Sequence, residues 1–189
     1  PQSAERGRAV EDSNELERER MKALIAYYTK TGHTLDAAKC IAEGIRREGW
    51  KTKLLEASHM EADRLKNCRV FVVGSPCHAG SLPGASGIAT PVKKMLRRLP
   101  EGSLEGKHGA AFSVHCSYGG KRTASSIKGR LEELGATVPL AGIAVKGGAF
   151  LSLYRGPDIK EEDRKRLEEF GRDLATSRDA EPEGRTSAW

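Results

Sequence analysis

Long hydrophobic runs, cysteine pairs, proline and aromatic residues are all scarce in this 189-residue chain. No apolar run approaches the roughly 18 residues that a spanning helix needs, and the first 20 residues hold nothing like the apolar middle of a secretion signal. A cytoplasmic protein that crosses no membrane is expected. The cysteines, Cys40, Cys68, Cys77 and Cys116, form no C-x-x-C pair, and a chain of this size has no need of disulfide staples, so reduced thiols are expected. Only 8 prolines accompany 21 glycines, with 38% hydrophobic and 31% charged residues, which excludes a collagen-like or wholly disordered chain. Aromatics amount to 2 Trp, 4 Tyr and 4 Phe, and no helix-turn-helix, zinc-finger or RNA-binding signature accompanies them. Specific nucleic-acid recognition is therefore not expected.

Signatures of several enzyme classes are missing as well. There is no G-x-S-x-G, and the loops that matter below hold no pair of carboxylates, which leaves serine-hydrolase and glycosidase chemistry without support. G-x-x-x-x-G-K-[ST] and G-x-G-x-x-G are absent, which argues against a P-loop nucleoside triphosphatase and a Rossmann dinucleotide site.

What is present is charge, unevenly placed. The net charge is +6, yet residues 1–20 hold 4 basic and 6 acidic side chains and residues 179–189 hold 1 and 3. The stretch between carries 27 basic and 17 acidic, an excess of +10 that would steer an anionic ligand or an acidic partner. Residues 1–20 show no helical apolar stripe and read as a disordered charged extension, residues 177–189 as a flexible tail, and residues 21–176 as one domain.

Within that domain, apolar periodicity alternates between strand and helix. Lys22–Tyr28 reads as a first strand, and Ala38, Ile41, Ala42 and Ile45 mark one face of a helix. Lys51–Ala57 and the β-branched run Arg69–Gly74 read as strands two and three. A helix follows with Thr90 as cap, Pro91 at its first position and Val92, Met95, Leu96 and Leu99 on one face. Gly109–Val114 reads as strand four, followed by a helix with Ala124, Ile127, Leu131 and Leu134 inward and Gly135 past its end. Val138–Val145 reads as strand five, its Pro139 suited to a sheet edge. A last helix is expected from Asp158 to Ala175, with Leu167, Phe170 and Leu174 inward. Five strands alternating with helices imply an α/β fold, a three-layer, doubly wound, five-stranded parallel sheet. Ligands in such sheets bind beyond the carboxyl ends of the strands.

The first loop there, Thr29-Lys30-Thr31-Gly32-His33-Thr34, sets three hydroxyls and a glycine at a helix start, where free amides point at one spot. That composition suits a phosphate monoester; the simpler alternative is Thr34 as a plain helix cap. TKTGHT after strand one, GSPCHAGSLPG after strand three, SYGG after strand four and the closing helix GPDIKEEDRKRLEEFGRDLA together resemble the flavodoxin family over residues 21–176. The resemblance implies the flavodoxin-like strand order 2-1-3-4-5, of the short-chain type, with noncovalent FMN as cofactor. Carried over by position, Thr29, Lys30, Thr31, Gly32, His33 and Thr34 would take the phosphate. Ser75, Pro76, Cys77, His78, Ala79 and Gly80, with His115, Cys116, Ser117, Tyr118, Gly119 and Gly120, would cradle the isoalloxazine ring. The family commonly has an aromatic in the loop after strand three, where this chain has Cys77, His78 and Ala79. Tyr118 remains to stack on the ring, and the basic surroundings, Lys30 and Lys121 nearest, favour the anionic, fully reduced flavin.

The implied function is electron transfer to redox partner proteins, acidic ones by charge, with a homodimer left open. An FMN-dependent reductase taking hydride from NAD(P)H, and a relative of the fold that has lost FMN and binds a metal or a partner, stand as alternatives. Soft ligands gather in the same loops: His33, His78, His115, Cys77 and Cys116. Either these side chains point in different directions around the ring, or they simply replace the usual aromatic and polar loop residues; beside those readings Cys77 and Cys116 are open to a disulfide, and the cluster to a zinc site in the apoprotein. Cys40 and Cys68 read as packing cysteines, and His59 and His108 as surface or strand-end residues.

Overall fold

A computed structural model describes residues 22–78, 86–148 and 157–177. The expected extension at 1–20 and nearly all of the tail at 177–189 lie outside the described residues. In chain order the elements are β1 (Lys22–Tyr27), α1 (His33–Arg47), β2 (Lys51–Glu56), two 3-10 turns (Ala57–His59 and Ala62–Leu65), β3 (Val70–Pro76), α2 (Thr90–Arg98), β4 (His108–His115), α3 (Gly120–Glu133), β5 (Ile143–Lys146) and α4 (Glu161–Thr176). The strands form one parallel sheet in the order β2-β1-β3-β4-β5.

Both faces of that sheet are covered, which is why β3 reads as an unbroken apolar run and is buried over six of its seven residues. Alternation along each strand divides the core in two. Ala23 and Ile25 of β1, with Val70, Val72, Phe112 and Val145, pack under α1 and α4 against Ile41, Ile45, Leu167 and Leu174. Leu24 and Ala26, with Phe71 and Val73, pack under α2 and α3 against Met95, Leu96, Ile127, Leu131 and Leu134. The helical stripes seen in the sequence are thus the buried ones.

Helices α1 and α4 approach each other unusually closely. A methyl group at Gly44 would lie 2.0 Å from the carbonyl oxygen of Glu168, and one at Gly171 would lie 2.3 Å from that of Ile41. Only glycine lets the two backbones meet this way.

Several boundaries differ from the sequence reading. Strand β5 begins at Ile143, so Pro139 lies in the segment before it, where Thr137 makes a single parallel bridge to His108. Thr90 is the first helical residue of α2 and Ala89 is its cap, its amide taken by the Ser75 hydroxyl at 2.9 Å, which leaves Thr90 no capping role. Helix α4 starts three residues after Asp158, at Glu161, where Glu161, Glu162 and Asp163 place negative charge at its positive end. His115 is the last residue of β4 rather than a loop residue.

Candidate functional site

The carboxyl ends of β1, β3 and β4 lie side by side, with Tyr27 opposite Gly74 and Pro76 opposite Val114, so the three loops singled out above emerge together. The first is a tight turn. Gly32 takes φ 96° as the N-cap of α1, a conformation other residues adopt only at a cost, and its amide donates to the Thr29 hydroxyl at 3.0 Å. The first intrahelical bond runs from the Asp36 amide to the Gly32 carbonyl, so the amides of His33, Thr34 and Leu35 have no acceptor within the helix. Thr34 lies buried inside the first turn and does not cap it.

His33 is buried beneath this turn, 2% exposed. Its Nδ1 is 2.9 Å from the Thr31 hydroxyl, and its Nε2, 3.8 Å from the Asp158 carboxylate, has no hydrogen-bond partner. The ring braces the turn from behind, against the backbone of Gly147 after β5. Lys30 alone in this loop is exposed; partial desolvation of the His78 ring, and then the Lys30 charge, hold that imidazole below its ordinary pKa. Lys30 and His78, from different loops, therefore feel one another.

Ser75 and Pro76 are the last two residues of β3 rather than loop residues; Ser75 is fully buried, and its hydroxyl donates to the Pro76 carbonyl at 2.8 Å and accepts from the Ala89 amide. Pro76 and Cys77 are half-buried and His78 exposed, while Ala79 and Gly80 lie outside the described residues. The Cys77 amide donates to the Val114 carbonyl at 2.8 Å, and its thiol points at the Tyr118 carbonyl at 3.7 Å, so the second and third loops touch.

In the third loop Cys116 is half-buried, Ser117 is exposed, and Tyr118 is the one large apolar side chain left open among the described residues, at 68% exposure. Gly119 takes φ 88° as the N-cap of α3, and Gly120 begins the helix. A methyl at Gly120 would lie 2.2 Å from the His115 ring. Burial holds His115 below its ordinary pKa, with Lys146 adding to the shift and a backbone bond at Ser117 and the Asp163 carboxylate opposing it.

The soft ligands do not assemble into a metal centre: among the described residues no three His, Cys, Asp or Glu side chains are grouped to hold an ion. All four cysteines are free thiols. Strand pairing sets Cys77 beside the Val114–His115 step and turns its sulfur to Tyr118, while the Cys116 sulfur lies near the Ser117 hydroxyl at 3.8 Å. Cys40 and Cys68 are buried, and burial pushes the Cys68 thiol up to about 11 against the pull of Lys107. His59 is exposed and His108 opens β4, as expected.

Two positioning residues escaped the sequence reading. Ser113, fully buried in β4, donates to the Gly120 carbonyl at 2.7 Å and pins the third loop; a lone hydroxyl inside GAAFSV was its signal. Asp158 stands at the back of the first loop, and nothing local in the sequence marks it.

A turn of amides and hydroxyls at a helix N-terminus, with a glycine that a Cβ would strain, is the donor set a phosphate monoester requires, so the residues present fit the phosphate of FMN. Comparison with known proteins identifies the family. The chain is 30% identical to a flavodoxin of Clostridium saccharobutylicum over 159 residues, which is 82% of this chain and 96% of the relative. Its fold is similar to that of oxidised Flavodoxin 2 from Bacillus cereus, with TM-score 0.68 and 21% identity, over 82% of this chain and 99% of that one. It also resembles rubredoxin oxygen:oxidoreductase of Desulfovibrio gigas, with TM-score 0.66 and 22% identity, over 87% of this chain but 38% of the other. Residues 25–156 match the family model described as Flavodoxin, and with that match and the close coverage of a flavodoxin relative, the chain belongs to the flavodoxin family.

Proposed function

We propose that this FMN-binding, electron-transferring flavodoxin holds the FMN phosphate in the Thr29–Thr34 turn and the ring between the loops after β3 and β4, and that residues 21–176 form the binding unit. The observation that carries this reading is the turn itself: Gly32 opens the start of α1, where the amides of His33, Thr34 and Leu35 have no acceptor within the helix, and Thr29 and Thr31 set hydroxyls in the same turn. Each charge-assisted bond is worth roughly 1.5–3 kcal/mol, so a few of them hold a phosphate without magnesium.

When bound, FMN supplies the redox chemistry, accepting and releasing the electrons. The protein binds and orients it. Ser75 and Ser113, buried and bonded, fix the starts of the two ring loops. Tyr118 offers an exposed aromatic face, and Cys77 ties the loops together through the Tyr118 carbonyl. Lys30 places positive charge and His78 a neutral ring donor or acceptor at the mouth of the site, and the Lys30 charge favours an anionic, fully reduced flavin and an acidic redox partner. No described helix is long and apolar enough to cross a membrane, and we place the protein in the cytoplasm.

Comparing FMN with riboflavin tests the assignment. Loss of the phosphate should weaken binding by at least about a hundredfold, two charge-assisted bonds' worth. Thr31→Ala with Thr34→Ala should weaken FMN and leave riboflavin nearly unchanged. Equal affinity for the two flavins, or FMN affinity untouched by the double substitution, refutes the phosphate site. Rapid mixing of the FMN-loaded protein with NAD(P)H should give no fast bleaching of the flavin, as expected of a carrier fed by another protein.

A further inference from the structure

The turn that starts α1 holds a buried polar atom without a hydrogen-bond partner, Nε2 of His33, on a side chain that is 2% exposed. What the ring does there follows from counting protons. The Thr29 hydroxyl accepts the Gly32 amide at 3.0 Å and so keeps its own proton for a ligand. Thr31 differs: its hydroxyl meets His33 Nδ1 at 2.9 Å, and the direction of that bond depends on where the ring carries its hydrogen. With Nδ1 bare, Thr31 gives up its proton to the ring and offers a phosphate only lone pairs. With a hydrogen on Nδ1, Thr31 accepts from the ring and is released to donate to a phosphate oxygen.

The far nitrogen sets the choice. Nε2 faces the Asp158 carboxylate at 3.8 Å, in the segment before α4. A neutral ring with its hydrogen on Nδ1 would aim a buried lone pair at that carboxylate, acceptor against acceptor, so the neutral ring carries its hydrogen on Nε2 and occupies the Thr31 proton. Only the imidazolium donates from both nitrogens, to Thr31 on one side and toward Asp158 on the other. Its charge would stand at the positive end of α1, an unfavourable place until an anion fills the turn. The other charged side chains on the elements around the ring are Lys30 in the same turn, Asp36 in the first turn of α1, Lys146 before the Gly147 backbone on which the ring packs, and Lys160 and Asp163 at the start of α4. Asp158 is the one that reaches within ion-pair distance of the ring.

We infer that His33 is a positioning residue that takes up a proton when FMN binds: the proton comes from solvent to Nδ1, the Thr31–His33 hydrogen bond reverses, and the Thr31 hydroxyl donates to the phosphate. This rests on the phosphate assignment above and deepens it, since the turn then selects the phosphate dianion and Asp158 holds the far side of the charged ring.

Calorimetric titration of FMN into the flavin-free full chain, in two buffers of different ionisation enthalpy at about pH 8, reads the proton directly, because the phosphate of free FMN is already a dianion there. Uptake of up to about one proton per FMN is expected, and none with riboflavin, which brings no anion to the turn. His33→Leu, which cannot donate to Thr31, should weaken FMN about tenfold, the worth of one charge-assisted bond. His33→Asn, whose amide can donate from the Nδ1 position but cannot titrate, should recover most of that loss and still take up no proton. Asp158→Asn, at an exposed carboxylate, should lower the uptake and weaken FMN about threefold. FMN binding that far exceeds riboflavin binding yet takes up no proton, or uptake by His33→Asn equal to that of the parent, overturns the inference and leaves the phosphate site standing. Equal affinity for FMN and riboflavin overturns both.

Discussion

Placing a methyl group at Gly44 tests how the flavin turn is supported from below. In a solvent-facing helix, Gly→Ala stabilises by about 0.8–1 kcal/mol through propensity alone. At Gly44 the new carbon would lie 2.0 Å from the Glu168 carbonyl oxygen, 2.9 Å from its carbon and 3.1 Å from the Arg172 nitrogen. Even a tight C···O contact needs about 3.3 Å, so α4 must withdraw by more than about 1 Å. All three atoms are backbone, and no rotamer change relieves them. Withdrawal loosens Ile41, Ile45, Leu167 and Leu174, each 0% exposed, and overpacking of this kind costs about 1–3 kcal/mol. With the clash at the upper end of that range, the net loss after the propensity gain is about 2 kcal/mol. At a urea slope of about 2 kcal/mol per molar, the unfolding midpoint should fall by about 1 M. Gly129→Ala in α3 is the control, since a methyl there meets nothing within 4 Å and should raise the midpoint. Because α1 also carries the phosphate turn at its start, Gly44→Ala should weaken FMN more than riboflavin. A midpoint that rises in both variants alike refutes the close-contact argument.

Acidification should destabilise the protein before its carboxylates titrate. His78 and His115 are both held below the ordinary imidazole value, so the unfolded chain takes up protons first; stability is full above about pH 6.5 and is lost as pH falls below it. His78→Gln with His115→Gln should flatten the slope of urea midpoints between about pH 7 and 5.5, and a midpoint already flat in the parent protein refutes this. Thiol reagents should modify Cys77 and Cys116 well before Cys40 and Cys68, and bound FMN should slow the first two. Peptide mapping by mass spectrometry reads this out; Cys68 reacting at the pace of Cys77 in the folded protein would refute it.

Most of the architecture was legible because buried parallel strands and amphipathic helices write their periods directly into the chain. Val70–Gly74 had to be a strand covered on both faces, and Ile127, Leu131 and Leu134 had to point inward. The start of β5 was misjudged because Val138 and Leu140 are apolar for another reason: they pack against the two core layers from the approach segment, one on each side. The site was legible where it depends on local chemistry, as in the Thr29–Thr34 turn, whose glycine and hydroxyls are needed within six residues. It was not where it depends on distance in sequence. Asp158 meets His33 across 125 positions, and no local pattern anticipates such a meeting. The His and Cys residues of these loops were open to several arrangements because adjacency of strand ends fixes backbones and not side chains; in the structure the Cys77 sulfur turns to the Tyr118 carbonyl and the Cys116 sulfur lies by the Ser117 hydroxyl.

The glycine contact between α1 and α4 also constrains how the protein comes into being. Gly44 rests on Glu168, and Ile41 on Gly171, so half of the core is completed by a helix made more than 120 residues after its partner. At synthesis rates of about 5–20 residues per second, roughly 6–25 s separate the emergence of the two. Throughout that interval Ile41 and Ile45 have only the growing sheet to cover them, and the nascent chain exposes an apolar helix face. A ribosome stalled before Glu161 would release a chain with its first helix assembled on one side only, whatever the quality of its flavin turn.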